Sequence, residues 1–295
     1  MPSLNYDTVH KSANVRHDDR LHQILESLYK KYNRFELIKS DPLQFVYRFD
    51  KPADMEIAGF LAAALAYGRV EQIQRSVDNL LARMENEPFD FIINFKSSSA
   101  KSLAGFKHRF NTADDICDLC SILKTILRKY ESLENCFAVH LKPDDVNIIN
   151  ALSGFVKTIL KHHGLPVSKG LNYLLSDPIN GSPCKRLNMF LRWMVRDDDV
   201  DSGLWKSVNK SLLIVPVDVH MTRLCKILGL YERKTVSLAT AVEITNNFAK
   251  LEPADPVKYD FALSRIGIIE DCTGRYRPKC EDCELIEFCK RRDSF

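Results

Sequence analysis

Long apolar runs are missing from this chain. Its most hydrophobic stretch, Ala58 to Tyr67, falls well short of the roughly 20 residues a membrane-crossing helix needs. The opening segment, Met1 to Arg20, is polar and holds no apolar core of the kind an export signal carries. These absences exclude a membrane partner at the level of sequence, and the expectation is a cytoplasmic protein, most simply a monomer. Neither sign of charge prevails: 42 Lys and Arg stand against 39 Asp and Glu, a net +3. Bulk charge therefore does not announce nucleic-acid binding, and any basic surface must be local. Alternating strand patterns and internal repeats are lacking too. With 295 residues, the chain is long enough to bury one large core or two closely packed ones.

What is present is helical periodicity. An amphipathic helix is expected over His22–Leu37, after a tail reaching about Asp18. Pro52 and Asp54 open an alanine-rich helix, Ile57–Tyr67, expected to be buried on most sides and ended by Gly68. Val70, Ile73, Val77, Leu80, Leu81 and Met84 stripe the next. Phe89–Leu103 is expected to be a loop with buried aromatics. Thr112 and Asp115 form a capping box ahead of Ile116, Leu119, Leu123, Ile126 and Tyr130. Further helices are expected over Asn147–His162 and Ser237–Lys250, and a last one starts at Asp255-Pro256. The fold class is all-α.

Two clusters carry chemistry. In the first, a short helix with Leu171, Leu174 and Leu175 meets the turn Ser176–Gly181, and Leu187, Leu191 and Met194 then recur at helical spacing. Such a helix, hairpin, helix unit aims amides from the turn and a helix start in one direction, which suits a phosphate. Lys185 lies just inside the second helix, and Asp218 precedes the apolar run of another. An amine and a carboxylate so placed can attack and cleave the sugar linkage of a nucleotide. Singly, each has a plainer reading, a solvated charge and a helix N-cap. The acids Asp197, Asp198, Asp199 and Asp201 suit a solvated loop better than a divalent-metal site. Trp193, Trp205, Tyr67 and Tyr173 are candidates to stack on a base, Tyr67 first among them, although aromatic residues at helical spacing more often belong to the core.

The second cluster is Cys272, Cys280, Cys283 and Cys289, in a C-x7-C-x2-C-x5-C pattern within a chain of nine cysteines. Clustered thiols in a reducing compartment hold metal more often than they form disulfides. Only Cys280 and Cys283 make a zinc-knuckle pair, so the spacing favours a 4Fe–4S cluster over zinc, which stays open. Arg275, Arg277 and Lys279 fall between the first two cysteines with no acid among them, a place to meet a phosphate backbone.

The order of these parts resembles the endonuclease III and MutY-like superfamily of DNA glycosylases, the helix-hairpin-helix (HhH-GPD) group, over roughly residues 50 to 295. It is sharpest in Gly181–Leu191, Val217–Leu230 and Cys272–Cys289, and nearest to an uncharacterised bacterial branch. The resemblance implies two packed helical domains with DNA in the cleft: 19–50 together with 231–295, carrying the cysteine loop, and 51–230, carrying the hairpin. It implies Lys185 as nucleophile, Asp218 as the essential aspartate, and the four cysteines as cluster ligands. Gly181, Ser182, Arg186, Arg275, Arg277 and Lys279 are the expected contacts to duplex DNA. The implied activity is base-excision repair: an N-glycosylase acting on a damaged base, with AP lyase chemistry through a lysine Schiff base. Three departures stand out. Pro183 replaces the second hairpin glycine and has no N–H to give. The Lys185–Asp218 interval is longer than in endonuclease III, comparable to that of archaeal 8-oxoguanine glycosylases. The first cysteine gap is one residue longer than usual. A different class of function also fits, a non-catalytic iron–sulfur protein that binds nucleic acid, and a third is an RNA-directed enzyme on the same scaffold.

Overall fold

The computed structural model describes residues 6–163 and 166–289, and nearly all regular structure in them is helical. The first half of the chain forms α1 (Tyr6–Tyr32), α2 (Pro52–Ala64), α3 (Val70–Arg83), α4 (Pro88–Ile93), α5 (Ala100–Leu103), α6 (Ala113–Tyr130) and α7 (Leu133–Ala138). The second half forms α8 (Ile149–Lys161), α9 (Lys169–Leu174), α10 (Lys185–Val195), α11 (Val219–Ile227), α12 (Leu238–Leu251) and α13 (Asp260–Ile268). A two-residue ladder, β1 (Lys107–His108) with β2 (Asn111–Thr112), makes a small hairpin with Arg109 and Phe110 at its tip. No described helix is long and apolar enough to cross a membrane.

Most boundaries follow from capping. Thr112 and Asp115 form the expected box at α6, and Ser132, Ser168 and Asp218 each accept a backbone N–H at the start of α7, α9 and α11. Three expectations fail. Helix α13 begins at Asp260 rather than at Asp255-Pro256, because the Asp255 carboxylate is held by the Arg196 guanidinium, 3.0 Å away. The segment expected as a loop, Phe89–Leu103, contains α4 and α5. Helix α1 already begins at Tyr6, inside the stretch expected to be a tail, and it gives way after Tyr32 to two 3₁₀ segments, Phe35–Ser40 and Pro42–Arg48.

The alanine-rich α2 is buried on nearly every side, and its two buried acids serve as caps for other helices. Asp54 accepts the Phe89 amide at the start of α4. Glu56 accepts the Leu133 and Glu134 amides at the start of α7, together with the Trp205 indole N–H. Buried carboxylates persist here because backbone donors replace the lost water. Helix α10 packs on α2, with Phe60, Phe190 and Trp205 meeting edge to face. Helix α11 lies against α13, and α1 against α12 and α13. The buried apolar side chains form one continuous cluster from Leu21 to Phe288.

Candidate active site

The turn between α9 and α10 is built by side chains bonding their own backbone. Asp177 accepts the Ile179 amide, and Gly181 closes the turn at φ +83°, ψ 1°. A Cβ at Gly181 would meet nothing within 4 Å, so the dihedral requires glycine rather than the space. The Gly181 amide donates to the Pro178 carbonyl, and its own carbonyl accepts from Leu238 at the start of α12. Cys184, just before Lys185, also sits in the left-handed region at φ 44°, which costs a non-glycine residue about 1–2 kcal/mol. Three bonds hold it there. Its amide donates to Ser182 Oγ, its thiol donates to the Ser176 carbonyl, and Asn188 fixes the neighbouring Pro183 carbonyl. Burial pushes the Cys184 thiol up to about 11. Backbone strain held by surrounding bonds tends to gather where geometry matters for function.

Helix α10 thus starts abruptly. The amides of Lys185, Arg186 and Leu187 find no acceptor among the described residues. Lys185 is half-buried, and its amine makes no hydrogen bond or ion pair among them. Lys185 and Asp218 both line one cavity of about 800 Å³. Asp218 keeps one oxygen on the Met221 amide at 2.8 Å and caps α11, whose second residue, His220, lines the same cavity. The stretches 40–42 and 66–68, α10 and α13 complete the wall.

Behind Lys185 runs a buried ionic network. Arg192 pairs with Asp260 and, at 3.2 Å, with Asp201. Arg196 pairs with Asp198, Asp201 and Asp255. Burial raises the Asp260 carboxyl to about 6 and Asp218 adds to the rise, against the opposing pull of Arg192. Within the acidic loop, Asp198 and Asp201 are therefore counter-ions of two buried arginines, and Asp197 pairs with Lys206 at 3.1 Å. Arg192 and Arg196 are thereby charge-matched, so they lend little net positive field to the amine.

Arg186 is spent differently. Its guanidinium donates to the Ala64 and Tyr173 carbonyls and stacks over the Tyr173 and Tyr67 rings at 4.2 and 5.1 Å. Tyr67 lines the cavity, with its hydroxyl donating to Asn111 Oδ1, and burial pushes that hydroxyl up to about 12. Phe110, 52% exposed at the hairpin tip, and Tyr173, 40% exposed, complete this aromatic group at ring separations of 4.6–5.3 Å. Phe110 and Asp260 escaped sequence reasoning. Nothing in a linear pattern joins residues 67, 110 and 173, or pairs 192 with 260.

In the cysteine loop, Cys272, Cys280, Cys283 and Cys289 are all half-buried. Burial, first, raises the Cys283 thiol, and the sulfurs of the other three add to that rise. Arg277 and Lys279 pair with Asp271 at 3.1 and 3.7 Å, and Lys279 also donates to the Glu270 carbonyl. Arg275 is exposed. Gly181 and Ser182 stand on the turn before Lys185, and Ser182 lines the same cavity as Asp271, the acid that holds Arg277 and Lys279. Among the described residues, His22, Glu26 and Glu252 are the group whose potential ligand atoms all lie within 4.8 Å of one another. Lys258 already serves those acids, at 2.6 Å from Glu26 and 3.4 Å from Glu252.

A family model described as "Protein of unknown function (DUF2400)" matches residues 41–269. The chain belongs to this family. The match takes in Lys185, Asp218 and the ionic network, and it ends before Cys272. No curated protein and no solved structure matches the chain.

Proposed function

We propose that the protein is a DNA base-excision repair N-glycosylase with AP lyase activity, using Lys185 as nucleophile and Asp218 as its carboxylate partner. The observation carrying this reading is that an amine with no partner among the described residues and a helix-capping carboxylate, distant in sequence, line one cavity of about 800 Å³. That volume accommodates an extruded nucleotide. With its sugar C1′ against Lys185, amine attack forms the C–N bond as the glycosidic bond breaks and the base leaves with the electron pair. The resulting aminal opens as its nitrogen forms the C=N bond and C1′–O4′ breaks, O4′ taking a proton, and the Schiff base so formed permits β-elimination at the 3′ phosphate. Asp218 stabilises the cationic sugar and accepts the proton the amine loses. The open amides at the start of α10 suit a backbone phosphate, and the stacked Phe110, Tyr173 and Arg186 suit an unpaired base.

Cys272, Cys280, Cys283 and Cys289 would hold a 4Fe–4S cluster, the donor set such a group takes. The four are not gathered as a metal site in this structure, so the assignment rests on residue type and spacing. A bound cluster supplies a rigid cross-link for the loop that carries Arg275.

Borohydride trapping on duplexes with abasic or oxidised sites tests the reading. The wild type is expected to form a covalent adduct and Lys185→Ala none. An equal adduct from both, or none from the wild type, defeats it. One feature favours the non-catalytic alternative, an iron–sulfur protein that binds nucleic acid. Pro183 has no amide and the Gly181 amide is spent on Pro178, so the turn itself has little to offer a phosphate. That alternative expects salt-dependent binding without base release.

A further inference from the structure

His220 stands at the second position of α11, and its ring lies against α13 where Gly267 has no side chain. A Cβ on Gly267 would fall 2.5 Å from the imidazole Nδ1. That nitrogen is buried and has no hydrogen-bond partner. His220 nevertheless lines the cavity of Lys185 and Asp218, so the ring is pinned on one side and open on the other. A neutral imidazole carries one N–H and one lone pair. Protonating Nδ1 would strand a buried donor, while a bare Nδ1 strands an acceptor, and orphaned buried donors are the rarer of the two. The ring proton therefore belongs on Nε2, the nitrogen left to the cavity.

We infer that His220 is a third catalytic residue, donating its Nε2–H to the departing base. This rests on the glycosylase reading above. The charged groups around the ring come from every neighbouring element. Of those lining its cavity, Lys185, Arg186 and Arg192 come from α10, Asp218 from the cap of its own helix, Asp260 and Arg265 from α13, Asp41 from the turn at 40–42, and Asp271 from beyond α13. Arg192 pairs with Asp260 and Arg265 with Asp41, while Arg192 Nη2 and Arg265 Nε stay buried without a hydrogen-bond partner among the described residues. His220 adds to these a ring that makes no hydrogen bond among the described residues, carried on α11, which packs against α13. The step needs no proton transfer from the ring. As Lys185 Nζ bonds to C1′, the electron pair of the C1′–N bond leaves with the base, the hydrogen bond from Nε2 stabilises it, and water then protonates it.

Single-turnover base release, set beside borohydride trapping on a preformed abasic duplex, tests this with His220→Phe and His220→Gln. Phe keeps a ring over Gly267 without a donor, and Gln returns an N–H near the place of Nε2. Removing one such donor is expected to slow base release by about 100-fold. His220→Phe should lose base release at least tenfold more than it loses trapping, since an abasic site has no base to expel. His220→Gln should recover most of the loss. Equal losses in both reactions, or no recovery with Gln, overturn the inference while the glycosylase reading stands. A wild type that releases no base overturns that reading, and the role of His220 with it. A nitrogen-15 spectrum of the free protein, with the His220 signal assigned by its loss in His220→Phe, checks the donor separately. A proton on Nδ1 at neutral pH overturns the inference whatever the kinetics show.

Discussion

Arg192 and Asp260 form a buried ion pair on the wall of the cavity that Lys185 and Asp218 share. The pair does not fully offset the burial of Asp260, whose carboxyl sits near 6 against an ordinary 3.8. A carboxyl raised on folding binds its proton more tightly in the native state. Its contribution to stability is complete below about pH 4 and is lost as pH rises through about 6. The size is on the order of 3 kcal/mol. Urea denaturation of wild type and Asp260→Asn between pH 4 and 7 isolates it. The stability difference, wild type minus variant, should fall as pH rises across that window, and a flat difference refutes the assignment.

Asp201 is 1% exposed and bridges Arg192 to Arg196. Removing one member of a buried charge group strands the others, at about 3–5 kcal/mol. Asp201→Ala is expected to lower unfolding stability by that amount. Millimolar magnesium or calcium should leave the wild-type melting temperature unchanged, because the acids already have guanidinium partners. A clear rise on adding either cation would return the loop to the metal-site reading set aside at the sequence level.

How far the sequence disclosed this arrangement depended on the range of the interaction. Local chemistry was legible: the Thr112–Asp115 box, the Asp218 cap, the alanine-rich buried helix and the turn at Gly181 all act within a few residues. Long-range claims on the same residue types were not. Asp255-Pro256 reads as a helix start, yet the carboxylate answers to Arg196 instead. Glu56, in the middle of an alanine-rich helix, gives no linear sign that it caps α7 and holds Trp205.

Thiol reactivity separates the two cysteine populations. Cys120 and Cys225 are fully buried, and burial pushes both thiols far above the ordinary range, so neither forms the reactive thiolate. Cys272, Cys280, Cys283 and Cys289 lie half-exposed. In native protein, alkylation followed by mass spectrometry should spare Cys120 and Cys225 throughout. The four loop cysteines should be spared as isolated and become labelled after chelation or oxidative loss of the proposed cluster, and Cys283→Ser should abolish brown colour. Labelling of the loop at full rate before any such treatment speaks against a bound metal centre.

The exposed ring of Phe110 has no core to stabilise, since 52% of it faces solvent and its own packing is against Tyr67 and Tyr173. Phe110→Ala should therefore leave the melting temperature within a degree or two. The ring packs on Tyr67 and Tyr173, which line the cavity, next to a cation–aromatic stack, and under the proposed reading an unpaired base lies on it. Base–aromatic stacking is worth about 1–3 kcal/mol by alanine substitution, roughly 5- to 150-fold in affinity. The loss should appear for duplexes with an abasic or mismatched site and be small for fully paired duplex, where no base is free to stack. Equal weakening on both duplexes would make Phe110 a general contact, and no weakening on either would remove the hairpin from the interface.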